Sequence, residues 1–185
     1  VKLREEALSG TLQALTSGQA DLAIGVAMEP ATSMGVHGKP LGQLHFVFAV
    51  APHHVLASAP EPLSDELIRR HRAVAVADSV QRGGGLSFGL LGGQEVLTVP
   101  GMPAKLEAHV RGLGCGFLPE PLARPYLETG RLVARQVERP ARLVRFSYAW
   151  RTATRTPQGR ALQWWLAQLE SPATRAALLE RQQGF

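Results

Sequence analysis

Short apolar runs alternate with helix-patterned segments along most of the chain, and that alternation limits the fold more than any other feature. The runs at Asp21-Leu22-Ala23-Ile24-Gly25-Val26-Ala27, Leu44 to Ala51, Ala73 to Ala77, Glu95 to Val99, Cys115 to Leu118, Leu132-Val133 and Val144 to Trp150 read as strands, and Val1 to Glu6 is strand-like. Between them, Leu12 and Leu15 mark a short helix that follows Ser9-Gly10-Thr11 and ends near Gly18. Another helix opens at Ser64, with Asp65 and Glu66 complementing its dipole. Met102, Leu106 and Val110 mark a third, and Pro119 to Gly130 a fourth. The strongest helical signal is Leu162, Trp165, Leu166 and Leu169, with Thr156 as cap and Pro157 at the first position, and a last helix spans Pro172 to Gln183. Loops are expected from Glu29 to Pro40 and, glycine-rich, from Gly83 to Gly93. The fold class is α/β, a sheet with helices on its faces.

A chain of 185 residues with 45% apolar residues builds one ordinary domain or two small lobes. Its formal charge of +5 comes from scattered arginines and forms no basic stripe, which argues against direct nucleic-acid binding. The single cysteine, Cys115, forms no internal disulfide, reads as a packed residue and fits a reducing cytoplasm. No signal core or membrane-length apolar run occurs. The start without Met, inside a strand-like segment, reads as a cut in a longer protein.

Motifs for catalysis and cofactors are weak. Gly85-Leu86-Ser87-Phe88-Gly89 matches the G-x-S-x-G nucleophile pattern. However, the strand ends residues earlier and the downstream His109 sits in a helix beside Glu107, so a flexible loop is the better reading. Gly112-Leu113-Gly114-Cys115-Gly116 follows a helix and enters a strand, the reverse of a dinucleotide fingerprint. The histidines His37, His45, His53, His54, His71 and His109 show no metal-ligand spacing, and surface or loop roles are expected for them. Glu5 and Glu6 would point to opposite faces of a strand. Neither a metal nor a cofactor is expected.

The informative polar groups lie where strands hand over to helices. Ser9-Gly10-Thr11, Asp78-Ser79 and Pro100-Gly101-Met102 occupy such turns, where ligand crevices of open α/β sheets form. Capping by Ser9 and Thr11 is an equally valid reading.

Three stretches carry a family resemblance. They are Leu3-Arg4-Glu5-Glu6 through Gly10-Thr11 to Ser17-Gly18-Gln19-Ala20-Asp21-Leu22-Ala23-Ile24-Gly25; Phe46-Val47-Phe48-Ala49-Val50-Ala51-Pro52-His53-His54-Val55-Leu56-Ala57; and Gly112-Leu113-Gly114-Cys115-Gly116-Phe117-Leu118-Pro119 running on to Leu132-Val133. In this order the chain resembles the effector-binding domain of LysR-type transcriptional regulators. The resemblance implies a type II periplasmic-binding-protein fold, with two Rossmann-like lobes joined by two crossover strands. Lobe I would comprise residues 1–53 and 144–185, and lobe II residues 54–143. A small-molecule effector would lie between the lobes, with Ser9, Gly10 and Thr11 on one side and Ser79, Pro100 and Met102 on the other. The helix at Trp164-Trp165 would return to lobe I.

Members of the family carry, before the point where this chain starts, a winged helix-turn-helix, a linker helix and the first βα unit of lobe I. The resemblance therefore implies a non-enzymatic, cytoplasmic sensing module whose parent binds DNA through that preceding domain and forms homodimers or homotetramers. The alternatives are a solute-binding protein of a transporter, which shares the fold, and a small serine hydrolase acting through Ser87. The effector's class stays open between an anionic molecule, suited to helix-start turns, and an aromatic one, suited to Met102.

Overall fold

A computed structural model describes residues 1–27, 35–79, 89–151 and 159–180. The chain divides into two compact units, one of residues 1–43, 78–86 and 144–181, the other of residues 44–77, 87–143 and 182–185. Two long strands, β2 (Val36–Val50) and β7 (Arg142–Arg151), run from one unit into the other.

In the first unit, α1 (Ser9–Thr16) packs on β1 (Leu22–Val26). Leu15, Ala23, Val26, Val36 and Ala149 are buried together between them. β1 pairs antiparallel with β7, Leu22 opposite Trp150 and Ile24 opposite Tyr148, with the register shifting at Gly25. Gly25 has φ +84°, a conformation glycine adopts without a Cβ penalty. The apolar stripe of α5 (Arg160–Glu170) places Leu166 and Leu169 with Tyr148 and Leu41. The buried Tyr148 hydroxyl donates to Glu170 Oε1 at 2.9 Å, which satisfies its polar end. α6 (Pro172–Glu180) contributes Leu179 to this cluster and leaves Leu178 exposed.

In the second unit, β3 (Ala73–Val76) pairs parallel with β4 (Val96–Val99), and Cys115 bridges to Ala73. The later part of β2 pairs antiparallel with β5 (Gly116–Pro119) and β6 (Val133–Arg135). Because side chains alternate across a strand, Phe48 and Val50 face one core with Leu56, Leu63, Ile68 and Cys115. Ala49 faces another with Leu106, Leu118 and Leu122, supplied in part by α3 (Met102–Val110) and α4 (Glu120–Glu128). α2 (Asp65–Arg69) begins as expected, Ser64 Oγ accepting from Leu67 N–H at 3.2 Å.

Several boundaries differ from the sequence expectations. Residues 1–6 form no strand, since no backbone among the described residues pairs with them; Arg4 instead contacts Glu6 and donates to Gln19 Oε1 at 2.7 Å. β2 starts inside the expected 29–40 loop because Val36 and Leu41 have buried sites waiting for them. Ser9 lies within α1, whose cap position is Leu8 and whose start has no side-chain cap, so Ser9 and Thr11 are not capping residues. α5 starts at Arg160 after Gly159, and Thr156 and Pro157 lie outside the described residues.

Candidate functional site

The site begins with a backbone turn. Gly10 N–H donates to the Ala7 carbonyl at 3.0 Å, and between them Leu8 sits at φ 53°, ψ −118°. Those angles belong to the first central residue of a type II′ turn, a position that favours glycine. A leucine held there stores strain of about 1–3 kcal/mol, and such residues persist where the surroundings over-determine them, often at ligand sites.

What over-determines it is the segment at Asp78 and Ser79. Ser79 Oγ accepts the Ala7 N–H at 2.8 Å, and Ser79 N–H donates to the Ala7 carbonyl at 3.4 Å. The Ser9 hydroxyl donates to the Asp78 carboxylate, 2.7 Å from Oδ1 and 2.6 Å from Oδ2. Gly10 is buried between these groups: a Cβ there would overlap Ser79 Cβ and come 2.9 Å from Glu6 Oε2. The result is a polar cluster at the N-terminus of α1, where first-turn N–H groups have no partner within the helix.

The expected residues divide accordingly. Ser9, Gly10 and Ser79 come together, and Thr11 follows half-buried on α1 with no hydrogen bond from its hydroxyl among the described residues. Pro100 is exposed, and Met102 opens α3 and packs against the Leu106, Leu118 and Leu122 cluster. Both belong to the second unit, whereas Ser79 belongs to the first, tied there by Ala7 and Ser9. Ser87 lies outside the described residues.

Sequence reasoning also missed a buried polar pair on α3. His109 is fully buried rather than on a surface or in a loop, and its Nδ1 is 2.9 Å from the Ala49 carbonyl. Burial, reinforced by Lys105, pushes its pKa down to about 3. The ring is therefore neutral, with Nδ1–H donating to the carbonyl and a buried Nε2 that has no partner among the described residues. Lys105, 8% exposed, is pushed down to about 8 by burial and then by Arg142. The available signal was the i, i+4 spacing of Lys105 and His109 beside the Leu106 stripe, which puts both on one helix face. Cys115 is packed as expected, burial pushing its thiol up to about 11. Among the described residues no group of three His, Cys, Asp or Glu side chains could hold a metal ion. No helix among them is long and apolar enough to cross a membrane.

The mixed α/β architecture, with long strands passing between two units, is that of a type II periplasmic-binding-like regulatory domain. The LysR substrate binding domain model matches residues 1–172, and the chain belongs to that family. It is 40% identical over 158 residues to the uncharacterized HTH-type transcriptional regulator YeeY of Escherichia coli K12, covering 85% of this chain and 50% of that protein. It is also 40% identical over 127 residues to the HTH-type transcriptional activator AllS of Klebsiella pneumoniae, 68% of this chain and 46% of AllS. The chain thus spans about half the length of these relatives. In fold it is similar to full-length LysG of Corynebacterium glutamicum with bound effector Arg, at TM-score 0.65 and 22% identity over 97% of this chain and 58% of that one.

Proposed function

We propose that this chain is the ligand-sensing part of a DNA-binding transcriptional regulator and that its effector docks on the cluster at the start of α1. Support comes from the family membership together with the strained Leu8 turn, which Ser79 and Asp78 hold in place. Strain maintained by a polar network costs stability, and ligand binding is the return that explains it. The contacts proposed are Ser9, Gly10, Thr11 and Ser79, with Pro100 and Met102 as further contacts from the second unit.

The Asp78 carboxylate already accepts from Ser9 at this helix start. The first-turn N–H groups of α1 favour a ligand that carries an acceptor. In the parent protein, binding would shift the population between two arrangements only by its differential affinity for them. DNA contact is assigned to a part of the parent outside this chain, and homo-oligomers and a cytoplasmic, non-enzymatic role complete the proposal. The lobes are proposed as residues 1–53 with 144–185, and 54–143.

A thermal-shift screen of the chain against amino acids, hydroxy acids, organic acids and aromatic compounds tests this. Ligand at a hundredfold over its dissociation constant adds about 2.7 kcal/mol of stability, a plain rise in melting temperature. A selective hit whose shift is lost in Ser9→Ala or Thr11→Val supports the reading. A hit unaffected by both variants overturns the site.

A further inference from the structure

Where β2 gives way to the segment leading to α2, the chain makes a single 3₁₀ turn, Val55–Ala57, with His54 as its N-cap. The ring Nδ1 of His54 accepts the Leu56 N–H at 3.1 Å. His54 N–H donates to the Ala51 carbonyl at 3.0 Å, and Ala57 N–H donates to the His54 carbonyl at 2.8 Å. Only a neutral ring accepts at Nδ1, so the proton of this imidazole is on Nε2. What the turn holds is Leu56, fully buried with Phe48, Val50, Leu63, Ile68 and Cys115, while Val55 beside it is 70% exposed. One ring nitrogen thus helps to pin a core leucine whose neighbour lies in water.

Protonation conflicts with this arrangement. An imidazolium carries N–H on both nitrogens, and Nδ1–H would face the Leu56 N–H, donor against donor. The surroundings add to the conflict. The His54 ring centre is 5.2 Å from that of His71, the two planes inclined at 60°. Burial first, then the positive charges of His71 and His53, hold the His54 pKa below its ordinary 6.5. His53 packs against Gly112 just past α3. His109 on α3 is neutral down to about pH 3 and brings no charge to the turn above that. On β6, which packs on the turn, the charged group is Arg135; it pairs with Glu61 at 3.2 Å and donates to the Ala59 carbonyl. Beside His71 in the chain, Arg70 and Arg72 are paired with Glu66 and Glu95.

We propose that His54 is an acid-operated latch: a proton taken up at Nδ1 releases the Leu56 N–H and opens the Val55–Ala57 turn while the strands of the second unit stay paired. The latch gives the module a response to acid that does not rest on the effector cluster of the first unit, and its failure would leave that reading intact. Proton counting gives the direction. The closed turn favours the neutral ring, whereas in an opened turn the ring returns to about 6.5. Above that pH neither form holds the proton and the latch is at full strength. Below it the open form binds the proton more readily, and the ratio of open to closed grows by up to about tenfold per pH unit until the closed form titrates too.

Backbone-amide hydrogen exchange of the full chain, read by NMR between about pH 8 and 5 as protection factors, tests this. The Leu56 protection factor is expected to fall severalfold below pH 6.5, in step with the His54 ring nitrogens, while those of Ala49 and Val50 on β2 hold. Asparagine accepts at an N-cap and does not titrate in this range, so His54→Asn should keep Leu56 protected throughout. His71→Gln removes a repelling charge and should move the loss to higher pH, a shift that a purely structural His54 would not show. The wild-type measurement relies on no variant folding. Constant Leu56 protection while His54 titrates, an equal fall in His54→Asn, or a fall shared in step by Ala49 and Val50 would overturn the proposal.

Discussion

Replacing Lys105 by Met should make the protein more stable. The ammonium of Lys105 is buried on α3, and Arg142, Cys115 and His109 are the charged or titratable groups around it. Its pKa falls from 10.5 to about 8, chiefly through burial. Each pH unit corresponds to about 1.4 kcal/mol, so the folded state carries roughly 3 kcal/mol of penalty for the charged form. The sign follows from proton counting. Below pH 8 both folded and unfolded chains hold the proton and the whole penalty applies; between pH 8 and 10.5 the unfolded chain holds more protons, so wild-type stability from this group rises with pH. Methionine keeps an unbranched apolar stem and removes the charge. Urea unfolding at pH 7 should therefore show Lys105→Met more stable than wild type by about 3 kcal/mol, worth about 2–4 °C in melting temperature per kcal/mol for a chain of this size. The difference should shrink toward pH 10.5, since groups common to both proteins cancel. A variant less stable than wild type at pH 7, or a difference indifferent to pH, would refute the reasoning.

His109 makes the fold acid-sensitive: with its folded pKa near 3 against 6.5 unfolded, stability should fall progressively below pH 6.5, and His109→Gln, which keeps a donor for the Ala49 carbonyl, should flatten that dependence in acid-unfolding titrations. Gly10→Ala forces a Cβ onto Ser79 and should cost about 1–3 kcal/mol in denaturant unfolding; an unchanged midpoint would mean that α1 does not pack against Ser79. Ser9→Ala removes a hydrogen bond to a carboxylate, with an expected cost of about 1.5–3 kcal/mol by the same assay. Gly112→Ala places a Cβ against His53 at φ +70° and should cost at least about 1–2 kcal/mol, whereas a neutral effect would show that the turn relaxes.

The elements legible in the sequence were those whose periodicity is local. α3, β3, β4, β5 and the stripe of α5 lie close to where their apolar spacing put them. What escaped depended on partners far away in the chain. The length of β2 was hidden because Val36 and Leu41 look like loop residues until Leu15 and Tyr148 supply their burial. The residues of the candidate cluster were legible as turn residues, but their association was not. Asp78 and Ser79 follow β3 of the second unit, and hydrogen bonds to Ser9 and Ala7 tie them to the first. The strain at Leu8 carries no sequence mark at all, because a leucine gives no hint of a positive φ. His109 was read by residue type, and type fails where a backbone carbonyl receives the side chain.

The most direct test of the central claim is backbone-amide NMR of this chain titrated with the compound that most raises its melting temperature. Shifts concentrated at Ser9, Gly10, Thr11 and Ser79 are predicted, because the turn that Ser79 braces at Leu8 is where the ligand docks. Saturable binding that leaves those four amides unmoved would contradict the account.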